Sequence, residues 1–433
     1  MRRVLYLTGC PTYIRAQHLR IPSRTAQVAR LKFIHTADWH LGKSLNNVSL
    51  LADQEFILKA LIDLCRKEKP DALFIAGDIY DRSVPSADAV AVLDKVIAEL
   101  IGGLGIPVIA MAGNHDNPRR TGQFNHLLSQ QGLHLFGFPE FPPKSVTLTD
   151  DWGPVHVYVL PYIEPEVYRL RFSQIDEEAA TEIRSHDQVV AHYVKLIQEV
   201  HPGGERAVLL AHVFVGGGSP SDSERQLAVG GAEMVGLDSF GDMFSYVALG
   251  HLHGPQTFRD GKLVYSGSPL KYSFSEAGHT KTVPVVDIDG MGLVTSRKVE
   301  LKPRRDLLTV TGRIEGTSLI LDAECAEGAD GAENTDDSIP AVTDYLEVRL
   351  SNREPVVDAM QIVRKRFPNT LKLSWPEKQA LAGGSGLTSG SISELSPEKL
   401  FERFIKTVSG EEPNDTHLEL ITEVTNQVLK RQE

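Results

Sequence analysis

Short apolar runs recur along the first 300 residues, and several end on residues that can bind something. "LKFIHTA" (31–37), "DALFIAG" (71–77) and "IPVIAMAG" (106–113) are too short for helices and lack polar alternation, which predicts strands buried on both faces. Between them, Ile57, Ala60, Leu61, Leu64 and Cys65 fall at helical spacing. "SADAVAVLDKVIAELIGGLG", just after Pro85, reads as a second helix closed by glycines. "RTGQFNHLLSQQG" predicts a short helix and "LHLFG" a short strand. The alternation continues through "VHVYVLPY" (155–162), a helix near 187–200, "RAVLLAHVFV" (206–215), "YVALGH" (246–251), "LVYSGSPL" and "TVPVVDID" (282–289). Strand–helix alternation of this kind implies a layered α/β domain.

A second, smaller pattern follows. "YLEVRL" (345–350), an amphipathic stretch near 355–366 and "TLKLSW" (370–375) predict a β-α-β element. It is preceded by "DAECAEGADGAENTDDS" (322–338), whose seven acids and no base mark an exposed insertion. "GGSGLTSGSIS" (383–393) has the composition of a flexible linker. Beyond it, Ser396 and Pro397 supply an N-cap and a first-turn proline, and Leu400, Phe401, Phe404, Ile405 and Val408 form one apolar stripe. Gly410 and Pro413 end that helix, and a second carries Leu420, Val424 and Val428. Large apolar residues on helices beyond a linker either dock back on their own domain or form a partner-docking module; the second reading is preferred.

Composition narrows the class. With 433 residues the chain is long enough for two or three domains, and 41% apolar with 24% charged residues describes a water-soluble globular protein. No apolar run approaches the roughly 20 residues of a membrane span. Three cysteines, far apart and without a CxxC pair, argue against a disulfide scaffold and a zinc knuckle and fit a reducing, cytoplasmic compartment. The first 30 residues carry six arginines and no acid, and "VLYL" is too short for a signal-peptide core. They read as a disordered extension or a mis-assigned start rather than a functional basic arm. The net charge of −12 argues, taken alone, against a nucleic-acid binder, although bound metals or a partner can supply local positive charge.

The chemistry lies at the strand ends. The first strand runs into Asp38 and His40, the second into Asp78 and Asp81, and the third into Asn114, His115 and Asp116. Two later ones run into His212 and into the His251–His253 pair of "VALGHLHG". Carboxyl ends of strands in a layered α/β sheet line one crevice, so these groups can converge. Carboxylates, an amide oxygen and imidazoles without thiolate suit Mn²⁺, and less strictly Fe²⁺ or Zn²⁺. Glycines before Asp78, Asn114 and His251 permit the sharp turns and close approaches such a cluster needs. The remaining histidines, His35 among them, have no such placement and read as structural or surface. Arg119, Arg120 and Lys271 are candidates for phosphate contacts, with solvated side chains as the alternative.

The series D-x-H, GD-x-x-D, GNHD, H and GH-x-H resembles the signature of the calcineurin-like metallophosphoesterases. "FIHTADWHLGKSL", "GDIYDRSVPS", "SDSERQLAVGGAEMV", "YVALGHLHGPQ" and "YSGSPLKYSFSE" extend it to the SbcD-type nuclease subunits, bacterial relatives of the double-strand-break repair nucleases. The resemblance implies a layered α/β metallophosphoesterase sandwich over 31–300 and a small α+β capping domain over 301–380. It implies a linker over 381–395 and a helical segment over 396–433 that binds the coiled-coil ATPase SbcC; residues 1–30 and 322–338 have no counterpart. It assigns Asp38, His40 and His253 to one metal and Asn114, His212 and His251 to the other, with Asp78 between. His115 would face the scissile phosphate, its ring oriented by Asp81 or Asp116. Two ions, most readily Mn²⁺, would polarise the phosphoryl group and acidify an attacking water. The implied activity is 3′-to-5′ exonuclease on duplex ends and endonuclease on hairpins and single strands, in DNA repair, recombination and replication. A homodimer within a heterotetramer at the nucleoid is implied as well. The chain has no G-x-x-x-x-G-K-[ST] loop, so ATP dependence would come from SbcC. A phosphatase or phosphodiesterase acting on a small phosphoester would use the same metal site, but would leave 396–430 without a purpose.

Overall fold

The computed structural model describes residues 30–224, 234–322, 343–352 and 356–375, the dipeptide Leu19–Arg20, and the single residues Lys399, Asn414 and Leu418. The chain divides into two compact units, Met1–Trp375 and Pro376–Glu433. The principal elements of the first begin with β1 (Leu31–Thr36), α1 (Leu51–Glu68), β2 (Ala72–Ile75), α2 (Ala87–Ala98), β3 (Val108–Met111) and β4 (Leu133–Phe136). Next come β5 (Ser145–Asp150), β6 (Gly153–Leu160), α3 (His186–Val200), β7 (Arg206–His212), β8 (Tyr246–Gly250), β9 (Gln256–Phe258) and β10 (Leu263–Tyr265). β11 (Thr282–Ile288) and β12 (Val294–Glu300) close the large domain.

Two sheets form its centre. One has the order β12-β11-β1-β2-β3-β4, with β1 to β4 parallel. The other has the order β5-β6-β7-β8-β10-β9, with β6, β7, β8 and β10 parallel and Leu19–Arg20 paired to the outer edge of β5. Side chains alternate between two apolar layers along each strand. Phe33, Phe74, Ile109, Val208, Leu210 and Ala248 fill the space between the sheets, and Phe33 stacks on Phe74 at 4.4 Å. Ile34, Leu73, Ile75 and Val108 face the other way, against Leu61 of α1 and Val92 of α2. Leu209 and Leu249 face Val190 and Tyr193 of α3 on the opposite side. Cover on both faces is why these strands read as unbroken apolar runs. The result is an α/β sandwich of two sheets between helical layers.

The small domain consists of β13 (Leu307–Glu315), β14 (Ser318–Leu321), β15 (Tyr345–Leu350), α4 (Ala359–Arg366) and β16 (Thr370–Ser374). Its sheet order is β14-β13-β15-β16, and Val310, Val348, Val363 and Phe367 form its core. It sits against α1: Arg305 grips the buried Asp53 carboxylate at 2.9 and 3.0 Å, and the Tyr345 hydroxyl donates to the same group at 3.0 Å.

The expected helix over "RTGQFNHLLSQQG" is broken into the turn Pro118–Thr121 and the turn Asn125–Leu128, which runs on as a 3₁₀ turn over Ser129–Gln131; the break falls where Phe124 adopts a left-handed φ of 61°. The first turn is capped by Asn117, whose side chain accepts from the Arg120 amide at 3.1 Å. Apart from the described residues named above, the basic extension, the acidic insertion, the linker over 381–395 and the helical segment over 396–433 lie outside the described residues. Among the described residues no helix is long and apolar enough to cross a membrane.

Candidate metal centre

β1, β2 and β3 lie side by side and in parallel, so their carboxyl ends open at one edge. β7 and β8 bring His212 and Gly250 into register at the same edge of the facing sheet. The loops beyond the strands are bonded to one another: the Asp38 amide donates to Gly77 O at 3.1 Å and the His40 amide to Asp78 O at 3.0 Å. The His115 amide donates to the Asp78 carboxylate at 2.8 Å, and the His251 amide to both oxygens of Asp38 at 3.0 and 3.1 Å. Four of these residues have positive φ: Asp38 at 54°, His40 at 45°, Asp78 at 48° and His251 at 110°. Each such conformation costs on the order of 1–3 kcal/mol outside glycine and persists only where neighbours fix it. Backbone strain here is concentrated on the side chains that converge. Close packing does the rest: a Cβ at Gly250 would lie 1.8 Å from Ala76 O.

All seven expected ligands meet at this edge. Nε2 of His40 and Nε2 of His253 face each other at 3.0 Å. Ligand atoms of Asp38, His40 and His253 lie within 4.8 Å of one another, as do those of Asp38, Asp78 and His212. Asp78 Oδ2 lies 3.5 Å from His40 Nε2 and 3.6 Å from His212 Nε2, which places it between the two groups. His212 Nε2 is 3.0 Å from the Asn114 side-chain oxygen, and its ring packs edge-on against that of His251 at 5.4 Å. His212 Nδ1 donates to Ala76 O at 2.8 Å, which leaves Nε2 unprotonated and free to ligate.

The charge balance calls for a cation. Asp38 and Asp78 are 0% and 2% exposed. Burial, and then the neighbouring Asp78, raise the Asp38 carboxyl well above its ordinary range. Burial likewise lowers the pKa of His40, His212 and His251, with adjacent imidazoles adding to the effect for His40 and His251. Carboxylates that repel one another, beside imidazoles that resist protonation, are satisfied together by divalent metal. Oxygen and imidazole donors with no thiolate fit a hard or borderline ion.

The three residues expected to act on the substrate separate in role. His115 is partly exposed, and its Nδ1 donates to the backbone carbonyl of Asp81 at 2.9 Å. The hydrogen bond found on its ring is to this main-chain oxygen rather than to either expected carboxylate. The Asp81 carboxylate instead receives Lys43 at 3.0 Å and lies 3.6 Å from His40 Nδ1. Asp116 is buried and accepts the amides of Ile79, Tyr80 and Gly113 at 2.9–3.0 Å, which staples the loops after β2 and β3 together. Burial and the nearby Asp78 push its pKa up to about 7. Arg119 and Arg120 are exposed. Lys271 is committed elsewhere: it donates to Ala277 O at 2.7 Å and pairs with Asp306 at 2.9 Å.

Sequence reasoning missed the groups behind the ligands. Ser223, Glu224, Glu276 and Lys281 are gathered behind His253, and Gln54 donates to the carbonyls of Trp39 and His40 at 3.0 and 2.7 Å. The strings "SDSE" and "SFSE" were visible, but nothing in their composition distinguishes a buried network from a polar turn.

A family model for calcineurin-like phosphoesterases matches residues 31–255. The SbcD C-terminal domain model, described as the Type 5 capsule protein repressor C-terminal domain, matches 303–409. Among solved structures, TT1561 of Thermus thermophilus is similar over 62% of this chain and 99% of its own, at 14% identity and a TM-score of 0.35. A dimetal phosphatase from Danio rerio is similar over 63% and 99%, at 13% identity and the same TM-score of 0.35.

Proposed function

Because the chain belongs to the calcineurin-like phosphoesterase family, we propose that it is an SbcD-type nuclease subunit that cleaves DNA with two Mn²⁺ ions and works with the ATPase SbcC. The observation that carries this reading is the joint occurrence, in one chain, of clustered Asp and His side chains that could hold metal and a match to the SbcD C-terminal domain. The family supports phosphoester hydrolysis with two metals; the second match favours a nuclease over a small-molecule phosphatase.

Asp38, His40 and His253 would hold one metal, Asn114, His212 and His251 the other, with Asp78 between them. The metals, when bound, supply Lewis-acid polarisation of the phosphoryl oxygens and an attacking water acidic enough to ionise near neutral pH. The chain's own residues do the rest. The Asp81 carbonyl fixes the proton on Nδ1 of His115, so a second proton at Nε2 makes the ring a donor toward the phosphoryl oxygens or the leaving 3′-oxygen. Asp116 and Gln54 hold the ligand-bearing loops in register. A groove of about 560 Å³ borders the site through Ser223 and Tyr272; Asp222 and Glu347 line it beside Lys43, Arg349 and Lys372, and these three cations are paired with Asp81 and Glu347. The reading puts the chain with DNA in the cytoplasm, as a homodimer whose 396–433 segment binds SbcC.

The test is cleavage of end-labelled duplex and hairpin DNA by the purified chain with Mn²⁺, alone and with SbcC plus ATP, beside His115→Ala. The expected outcome is Mn²⁺-dependent cleavage, lowered about 10²–10⁴-fold in the variant, with Mn²⁺ content unchanged because His115 is outside the ligand set. Hydrolysis of a small phosphodiester without any DNA cleavage would overturn the substrate and leave the metal site standing.

A further inference from the structure

His253 is 1% exposed, and its two ring nitrogens point to different neighbours. Nε2 faces His40 Nε2 in the metal cluster. Nδ1 meets the Ser223 hydroxyl, and that hydroxyl also contacts Oε1 of Glu276 at 2.5 Å. Glu276 is 0% exposed and is held from its other oxygen by Lys281, 5% exposed, at 2.5 Å. Lys281 spends its remaining donors on His253 O at 2.8 Å and Ser268 Oγ at 2.9 Å. The His253 amide donates to Glu224 at 2.7 Å, so the same residue is gripped by main chain and ring alike.

The Ser223 hydroxyl also lies 2.9 Å from Ser221 Oγ, and Oε1 of Glu276 lies 3.5 Å from His253 Nδ1, so the donors are assigned from the groups that can only accept. Beside the ammonium of Lys281, Glu276 is a carboxylate and accepts only. The Ser223 hydroxyl has one hydrogen, and Glu276 takes it. The hydroxyl oxygen is then an acceptor toward His253, so Nδ1 must carry the ring proton. A neutral imidazole protonated on Nδ1 presents a lone pair at Nε2, the atom that faces the metal cluster.

We propose that Glu276, anchored by Lys281, acts through Ser223 as the positioning device that sets the tautomer and direction of the His253 ring for metal binding. The inference rests on the dinuclear site proposed above and goes beyond it, since neither Glu276 nor Ser223 belongs to the seven-residue ligand set. Ser223 is the adjustable link. Removing its hydroxyl leaves the Glu276–Lys281 pair intact and leaves His253 Nδ1 only the longer approach to Glu276 Oε1, at 3.5 Å.

The experiment is Mn²⁺ titration of the full chain by calorimetry and electron paramagnetic resonance, comparing wild type with Ser223→Ala, Ser223→Thr and Glu276→Gln. Wild type is expected to take two ions and to give a spin-coupled dinuclear signal. Ser223→Ala is expected to lose about 10–100-fold in affinity at one of the two ions. Its spectrum at two added equivalents should become mononuclear, while the metal-free melting temperature stays near wild type. Ser223→Thr keeps the hydroxyl and is expected to restore both properties. Glu276→Gln should match Ser223→Ala if it folds; if it does not, the Ser223 pair decides. Wild-type affinity and a coupled signal in Ser223→Ala would overturn the inference. A wild-type chain that binds no ion pair would overturn the dinuclear site and the inference with it. Two ions bound without DNA cleavage would sink only the nuclease reading.

Discussion

At Gly113 an added Cβ would lie 2.1 Å from an Asp78 carboxylate oxygen and 2.4 Å from the Asp78 amide nitrogen. One of those atoms is main chain, so the collision cannot be relieved by a rotamer change. Asp78 would have to leave the point where it lies between the two ligand groups. Gly113→Ala is therefore expected to lose at least one of two bound Mn²⁺ ions, measured as metal content after gel filtration; retention of both would mean that the loop shifts as a body. His35 shows a different kind of constraint. It lies in the core with Nδ1 at 3.1 Å from the Tyr246 hydroxyl, and burial lowers its pKa from 6.5 to about 3. A histidine with a lowered folded pKa contributes stability that is complete above the unfolded value near 6.5 and is lost as pH falls through the folded one. Each unit is worth about 1.4 kcal/mol. Replacing it in His35→Phe is expected to flatten the fall in melting temperature between pH 6.5 and about 3. Melting curves that stay parallel to wild type across that range would remove His35 from the account of acid unfolding.

At the scale of elements, the small domain is tied to α1 by one buried carboxylate. Asp53 is 2% exposed and receives Arg305 and Tyr345, while Leu307, Tyr345 and Leu371 join Leu50 in one apolar cluster. Asp53→Ala leaves a partly buried guanidinium and a hydroxyl without their acceptor, a loss on the order of 3 kcal/mol. The expected consequence is faster proteolysis near 301–306 at unchanged Mn²⁺ content; equal cleavage rates would place the docking energy in the apolar contacts instead. The elements themselves differed in how readily they could be read. β1, β2, β3, β7 and β8 were legible because burial on both faces leaves an unbroken apolar run. β12, "VTSRKVE", was not, because an exposed edge strand needs no such run. β13 and β14 escaped notice as well; apart from Leu307, their buried apolar positions pack within the small domain, around Val310 and Leu319. The expected metal ligands were legible as a converging set because each lies at or just beyond the end of a strand, whereas the orientation of His115 depended on a main-chain oxygen that no sequence pattern announces.

At the scale of the whole molecule, the proposed reading puts catalysis and partner binding on separable parts of the chain. Every expected metal ligand and His115 fall within 38–253, inside the matched phosphoesterase segment, and the second match runs on to residue 409 across the linker composition. Nothing in the ligand set draws on residues beyond 253. A chain ended after Trp375 should therefore keep two bound Mn²⁺ ions and its hydrolysis of a small phosphodiester within about twofold. In the proposed complex ATP hydrolysis belongs to SbcC, so any ATP-driven gain would pass through whatever surface binds it. If that surface is the apolar stripe of Leu400, Phe401, Phe404, Ile405 and Val408, the shortened chain will lose the ATP-dependent increase in DNA cleavage on addition of SbcC. Replacing Phe401 and Phe404 with serine in the full chain should do the same. A full gain in both variants would move the partner surface into the first 375 residues. Loss of small-phosphodiester hydrolysis in the shortened chain would instead show that the C-terminal unit supports the metal centre itself.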